Sequence, residues 1–226
     1  MRAKITSFLQ GPYNILLFFL VSLFIFRTHS DNFFLLAFWK LILAISLSNA
    51  IYNLRIKIRI KRLIFLLAIP PVIISWINLW LEAHPTLFIA NDLFTILFLG
   101  LCAIVIVHDV ITREPVTFET LRGVICAYFL VAFTFAYFYY LMEFLSPGSI
   151  PVSHIAEEFS YTHSLSDMLY YSFLTMLMFG DVDTKNIIVE TAIILQGIFA
   201  QFYIAILVAK IVSVYAIAIM DPKRKK

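Results

Sequence analysis

The chain has 226 residues, of which 62% are hydrophobic and only 14% charged. A soluble domain of this length carries about a quarter charged residues, so the composition reads as an all-α membrane protein and excludes most soluble enzyme classes, a soluble substrate and a cytoplasmic ligand-binding module. The net charge of +3 is no nucleic-acid signature.

Arg2 and Lys4 precede an apolar run over 7–26. No small-residue cleavage site follows it, which predicts an uncleaved first span. Gly11-Pro12 falls in its first turn, where proline is tolerated. The second span is predicted over 33–52. Next, Arg55, Lys57, Arg59, Lys61 and Arg62 alternate with apolar residues. A voltage-sensing helix carries its arginines through the membrane. This run instead lies between spans and reads as a topology signal that also touches anionic lipid. A third span is predicted over 63–81, with Pro70-Pro71 marking a kink. The fourth covers 86–108 and holds no lysine or arginine. A polar loop over 109–123 contains Thr117, a helix-start candidate with Glu119 close behind. The fifth span covers 124–145, and a polar stretch runs over 146–166.

Residues 167–215 organise the rest. A short amphiphilic helix is predicted over 167–176, capped by Ser164 or Ser166 with Asp167 in its first turn. It is too brief to cross a bilayer and breaks off at Phe179-Gly180-Asp181. A sixth span over 187–216 is long enough to cross. Irregular backbone at membrane depth is tolerated only where protein buries it or water reaches it, so this pattern predicts a re-entrant pore helix and loop between spans five and six. The negative end of the short helix would favour cations. Gln196, Gly197, Ala200 and Gln201 suit a helix lining an aqueous path. The plainer alternative is a helix hairpin with an outer amphipathic segment.

The cations gather on one side: Arg2, Lys4, the 55–62 run, Arg113, Arg122 and residues 223–226, against Arg27 and Lys185 on the other. The positive side is expected to be cytoplasmic, which puts both termini on the cytoplasmic side of the cytoplasmic (inner) membrane. Lys40 and Asp92 lie inside apolar segments, either paired or snorkelling separately. Cys102 and Cys126 fall in apolar runs and read as buried thiols, with no disulfide framework. His154, Glu157, Glu158 and His163 read as a solvated outer loop, with a spacing that fits no metal site. His108-Asp109 has no convergent catalytic partner, and no enzyme is expected. Glu143 either supports the short helix or stands as an interfacial carboxylate in water.

Three stretches carry a resemblance: Tyr171-Ser172-Phe173-Leu174-Thr175, then Phe179-Gly180-Asp181, then the last-span run from Gln201-Phe202-Tyr203 to Lys210. With Ile111-Thr112-Arg113 and residues 128–147, they resemble the pore module of the potassium-channel superfamily, in its bacterial two-helix pore-loop form. The likeness covers roughly 111–215. It implies a homotetramer in the lipid bilayer passing monovalent cations, potassium above all, with no cofactor and no metal beyond the permeating ion. It implies a filter-like segment at Thr175, Met176, Leu177, Met178, Phe179, Gly180 and Asp181, and an inner pore helix with Gln196, Gly197, Ala200 and Gln201. Residues 1–110 then form a four-helix region that is voltage-sensor-like in topology but lacks a basic fourth helix, and 111–226 form the pore domain. The family filter reads Thr-Val/Leu-Gly-Tyr-Gly-Asp. Here Met178 stands in place of its first glycine, Met176 in place of its threonine, and Ala200 where many members have a hinge glycine. A non-conducting or regulatory channel-like subunit is the alternative. A secondary transporter would need an inverted repeat, and none is found.

Overall fold

The computed structural model describes residues 12–25, 33–54, 56–78, 85–112, 117–150, 165–179, 184 and 186–220. Among these the chain is all-helical, with no strand. The helices are α1 (Pro12–Ile25), α2 (Phe33–Tyr52), α3 (Ile58–Ile77), α4 (Pro85–Thr112), α5 (Phe118–Leu145), α6 (Leu165–Met176) and α7 (Ile187–Met220). Four of them, α3, α4, α5 and α7, are long and apolar enough to cross a bilayer. Two shorter apolar helical stretches lie at Tyr13–Phe24 and Lys40–Tyr52. Large apolar side chains such as Ile104, Phe202 and Leu66 stand on the outer surface, as in a protein whose outside meets lipid rather than water.

The helix ends extend beyond the apolar stretches. α3 begins at Ile58, inside the basic run, and α4 and α5 extend into the segment expected as a polar loop over 109–123. Hydropathy marks the apolar part of a helix, whereas its backbone hydrogen bonds continue into the polar ends. At the start of α3, Lys61 reaches back to the Tyr52 carbonyl at 2.6 Å and lies over the Tyr52 ring. Arg59 and Arg62, three residues apart, stay exposed.

Thr117 caps α5, as expected. Its partner is Thr120: Thr120 N–H donates to Thr117 Oγ1 at 3.4 Å, and Thr117 N–H donates to Thr120 Oγ1 at 3.2 Å. This reciprocal arrangement satisfies two otherwise orphaned donors. Pro70 and Pro71 lie inside α3, which stays helical through them. The Pro71 carbonyl accepts from Ser75 Oγ at 2.6 Å.

Helix α5 is the hub, in contact with α1, α4, α6 and α7. At one end α1, α4 and α7 meet α5 around Gly123. Tyr13 of α1 donates its hydroxyl to Asp109 of α4 at 2.7 Å, and Tyr203 of α7 donates to the Val124 carbonyl at 2.7 Å. Lys210 Nζ reaches the Ile111 carbonyl at 3.4 Å. Both cysteines are free and buried. A Cβ on Gly123 would lie 2.9 Å from Val110 Cγ2 and 3.0 Å from Tyr13 Cε2. Gly123→Ala is therefore expected to destabilise the fold by about 1–3 kcal/mol through overpacking. Gly100→Ala, whose added methyl meets only Thr134 Cγ2 at 3.6 Å, is expected to be neutral or slightly stabilising because alanine favours helix. Thermal unfolding of the two variants in detergent checks the contrast.

Candidate functional site

Helix α6 has 12 residues, about 18 Å of rise, against a hydrocarbon core about 30 Å thick. It packs against α5 and α7. Asp167 lies in its first turn, as expected. The helix begins at Leu165, so Ser166 is already helical, and Ser164 lies outside the described residues.

An aromatic cluster fixes the middle of α6. The Phe173 ring sits 4.7 Å from Phe24 of α1, and 5.4 and 6.1 Å from Phe129 and Phe133 of α5. A buried polar tie lies beside it. Ser172, 0% exposed, donates to the Ala132 carbonyl of α5 at 2.7 Å. Gln196 of α7, also 0% exposed, donates through Nε2 to Ser172 Oγ at 2.7 Å and to the Ser172 carbonyl at 3.1 Å. Its Oε1 accepts from the Tyr139 hydroxyl of α5 at 2.7 Å. One amide thus joins three helices with donors and acceptors matched. The Tyr139 ring also meets the Tyr171 ring edge-on at 5.3 Å.

The end of α6 is a closed turn. Leu177 N–H donates to the Phe173 carbonyl, Met178 N–H to Thr175 and Phe179 N–H to Leu174, at 3.0, 3.1 and 2.8 Å. The last two bonds are the paired bonds of a Schellman motif, whose C′ residue takes the left-handed conformation and is usually glycine. Here that residue is Met178, with φ +63°. The conformation costs about 1–2 kcal/mol for a residue with a Cβ. Its side chain lies over Gly197 of α7: a Cβ there would stand 3.2 Å from Met178 Sδ.

Of the filter-like segment, Thr175 and Met176 are helical and buried, and the Thr175 hydroxyl bonds back to the Tyr171 carbonyl at 2.9 Å. Leu177 and Phe179 project apolar side chains outward, with Phe179 77% exposed, while the partly exposed Met178 side chain lies against Gly197. Gly180 and Asp181 lie outside the described residues. On α7, Gln196 and Ala200 are fully buried and Gly197 is buried, all within the subunit, whereas Gln201 faces out.

Comparison of the chain with protein-family profiles, with curated proteins and with solved structures gives no match.

A second support stands beyond the far end of α5. Glu143, 6% exposed, accepts from Gly148 N–H at 2.7 Å, Ile150 N–H at 3.0 Å and Ser149 Oγ at 3.3 Å. Gly148 takes φ +80°, a conformation glycine adopts without strain. The Ser149 carbonyl accepts from Thr184 Oγ1 at 2.6 Å. Asn186 then caps α7 by accepting from Ile188 N–H at 3.0 Å. Glu143 therefore holds the turn after α5 and, through it, the entry to α7. His154, Glu157, Glu158 and His163 lie outside the described residues.

Gln196→Leu leaves the buried Tyr139 hydroxyl without its acceptor, at a cost of about 1–3 kcal/mol, while the Ser172 hydroxyl keeps the Ala132 carbonyl. In a thermal-unfolding cycle, Gln196→Leu with Tyr139→Phe is expected to be less destabilised than the sum of the single variants. The shortfall should be about 0.5–3 kcal/mol, as for groups that share one hydrogen-bond network. Met178→Gly is expected to stabilise the protein by up to about 1 kcal/mol by relieving the left-handed methionine, read as a higher unfolding temperature.

Proposed function

We propose that this chain is the subunit of a homotetrameric, six-span cation channel of the potassium-channel type in the cytoplasmic membrane, with both termini inside. Helix α5 is the outer helix, α6 the re-entrant pore helix and α7 the inner helix. The observation that carries this reading is the length and seating of α6. A helix of 12 residues, too short to cross a bilayer, is held between two membrane-length helices by the Tyr139–Gln196–Ser172 tie. A backbone that breaks off at membrane depth must be covered by protein or reached by water. Four such ends around an axis satisfy that requirement. Gln201, exposed on α7, supplies a polar inner vestibule, and carbonyls of 176–181 line the constriction.

The closed turn at Met178 favours a second reading, a non-conducting or regulatory channel-like subunit. The carbonyls of Phe173, Leu174 and Thr175 are engaged in the helix cap, and apolar side chains project from the tip. Four copies meeting there would seal the axis instead of replacing a hydration shell.

Reconstituted in liposomes, the wild-type protein is expected to pass potassium and to cross-link as a tetramer. Flux only after Met176→Thr with Met178→Gly assigns the second reading. A monomeric protein with no flux in either form overturns both.

A further inference from the structure

Away from α6, on the far side of α5, a second buried polar centre joins α2, α3, α4 and α5. Lys40 and Asp92 are each the eighth residue of their helices, about 10 Å from the helix start. Asn91 stands between them. Its amide is assigned with the oxygen toward Lys40, since the reverse sets two donors face to face; the oxygen then accepts from Nζ at 2.7 Å, and the nitrogen donates to the Pro71 carbonyl at 3.0 Å and to Ser75 Oγ at 3.2 Å. Lys40 Nζ also lies 5.3 Å from the centre of the Tyr137 ring, a cation–π distance. Both of these partners of the ammonium are neutral.

Asp92 fares differently. It is 1% exposed, and its Oδ2 has no hydrogen-bond partner among the described residues. Its Oδ1 lies 3.4 Å from the Asn91 amide atom, which is the atom that faces Lys40. With that atom an oxygen, two acceptors face each other and no hydrogen lies between them. An ionised carboxylate left in this condition is costly. A proton on the carboxyl converts the repulsive oxygen pair into a hydrogen bond and leaves Lys40 on Asn91.

We propose that Asp92 is an intramembrane proton-binding site, with Asn91 as the shared acceptor that couples its proton to the hold on Lys40. The balance is simple: one proton from water joins the carboxylate, and the pocket changes by one positive charge. Among the described residues, the titratable groups facing Asp92 are Lys40 from α2 and Tyr137 from α5. From α3 come Ser75 and the Pro71 carbonyl, neither of which titrates in the working range. A metal cation is disfavoured by the ammonium beside the carboxylate. The centre binds α3 beside its two prolines, so occupancy of the site changes how α3 is held against α4. This inference does not rest on conduction through α6.

The test is infrared titration of the full-length protein in lipid nanodiscs. The expected result is a high-frequency carbonyl band, from a protonated carboxyl with weak hydrogen bonding, that appears and disappears with pH. It should be lost in Asp92→Asn and kept in Asp109→Asn. Lys40→Met, and separately Asn91→Leu, should move the pH at which the band titrates. Should Asp92→Asn fail to fold, those two variants carry the test. Persistence of the band in folded Asp92→Asn, or titration at an unchanged pH in both Lys40→Met and Asn91→Leu, overturns the proposal.

Discussion

The arrangement around α6 depends on a single amide. Gln196 would be expensive in an apolar interior unless both ends of its side chain found partners. They do, with Ser172 receiving its N–H groups and Tyr139 donating to its oxygen. Ser172 ties α6 to both α5 and α7, and Gln196 ties α7 to both α5 and α6. Apolar packing alone lets a short helix slide or rotate with little penalty. A matched polar triad in a low-dielectric setting sets one register, because any slip orphans three groups at once. The Phe173 cluster supplies contact area, and the triad supplies position.

That fixed position throws the strain onto the next turn. With Ser172 and Phe173 held, the chain must leave α6 at Leu177, and the residue that takes the left-handed turn is a methionine. Glycine would do so without strain. Methionine offers a long, polarizable side chain that reaches α7 and covers Gly197, where any Cβ would come within 3.2 Å of its sulfur. The two positions are complementary: a residue that needs space lies opposite one that leaves it. The turn is thus closed by hydrogen bonds and braced from α7. A conducting loop would have to reopen it, and a plug would keep it.

Much of this architecture was legible in the sequence. Helix α6 was visible from its amphiphilic pattern and the break at Phe179-Gly180, and the cap at Thr117 from its residue type. The helix ends were not, because α4 and α5 continue past their apolar stretches into residues that read as loop. Glu143 stands buried in a turn of backbone N–H groups, not in water at the interface, since a carboxylate's partners a few residues onward leave no mark in hydropathy. The partners of Gln196 were equally hidden. Nothing local links Tyr139 to Gln196 across 57 residues of chain. Lys40 and Asp92 could be flagged as costly, but the group that joins them is Asn91, an unremarkable amide beside a charge.

Two tyrosines on α5 show how the centres relate. Tyr137 faces Lys40, and Tyr139 donates to Gln196. Residues two apart on a helix do not face the same way, so α5 presents one ring to the Lys40–Asn91–Asp92 centre and the other to the α6–α7 tie. Both contacts lie within one turn of helix. The packing between them is dense, with Ala132, Phe133 and Ala136 fully or almost fully buried, and close-packed cores shift as units instead of deforming. Rotation of α5 about its axis would therefore move both rings together. The Lys40–Asn91–Asp92 centre and the α6–α7 tie thus rest on opposite faces of one helix, which offers a ring face to the first and a hydroxyl to the second.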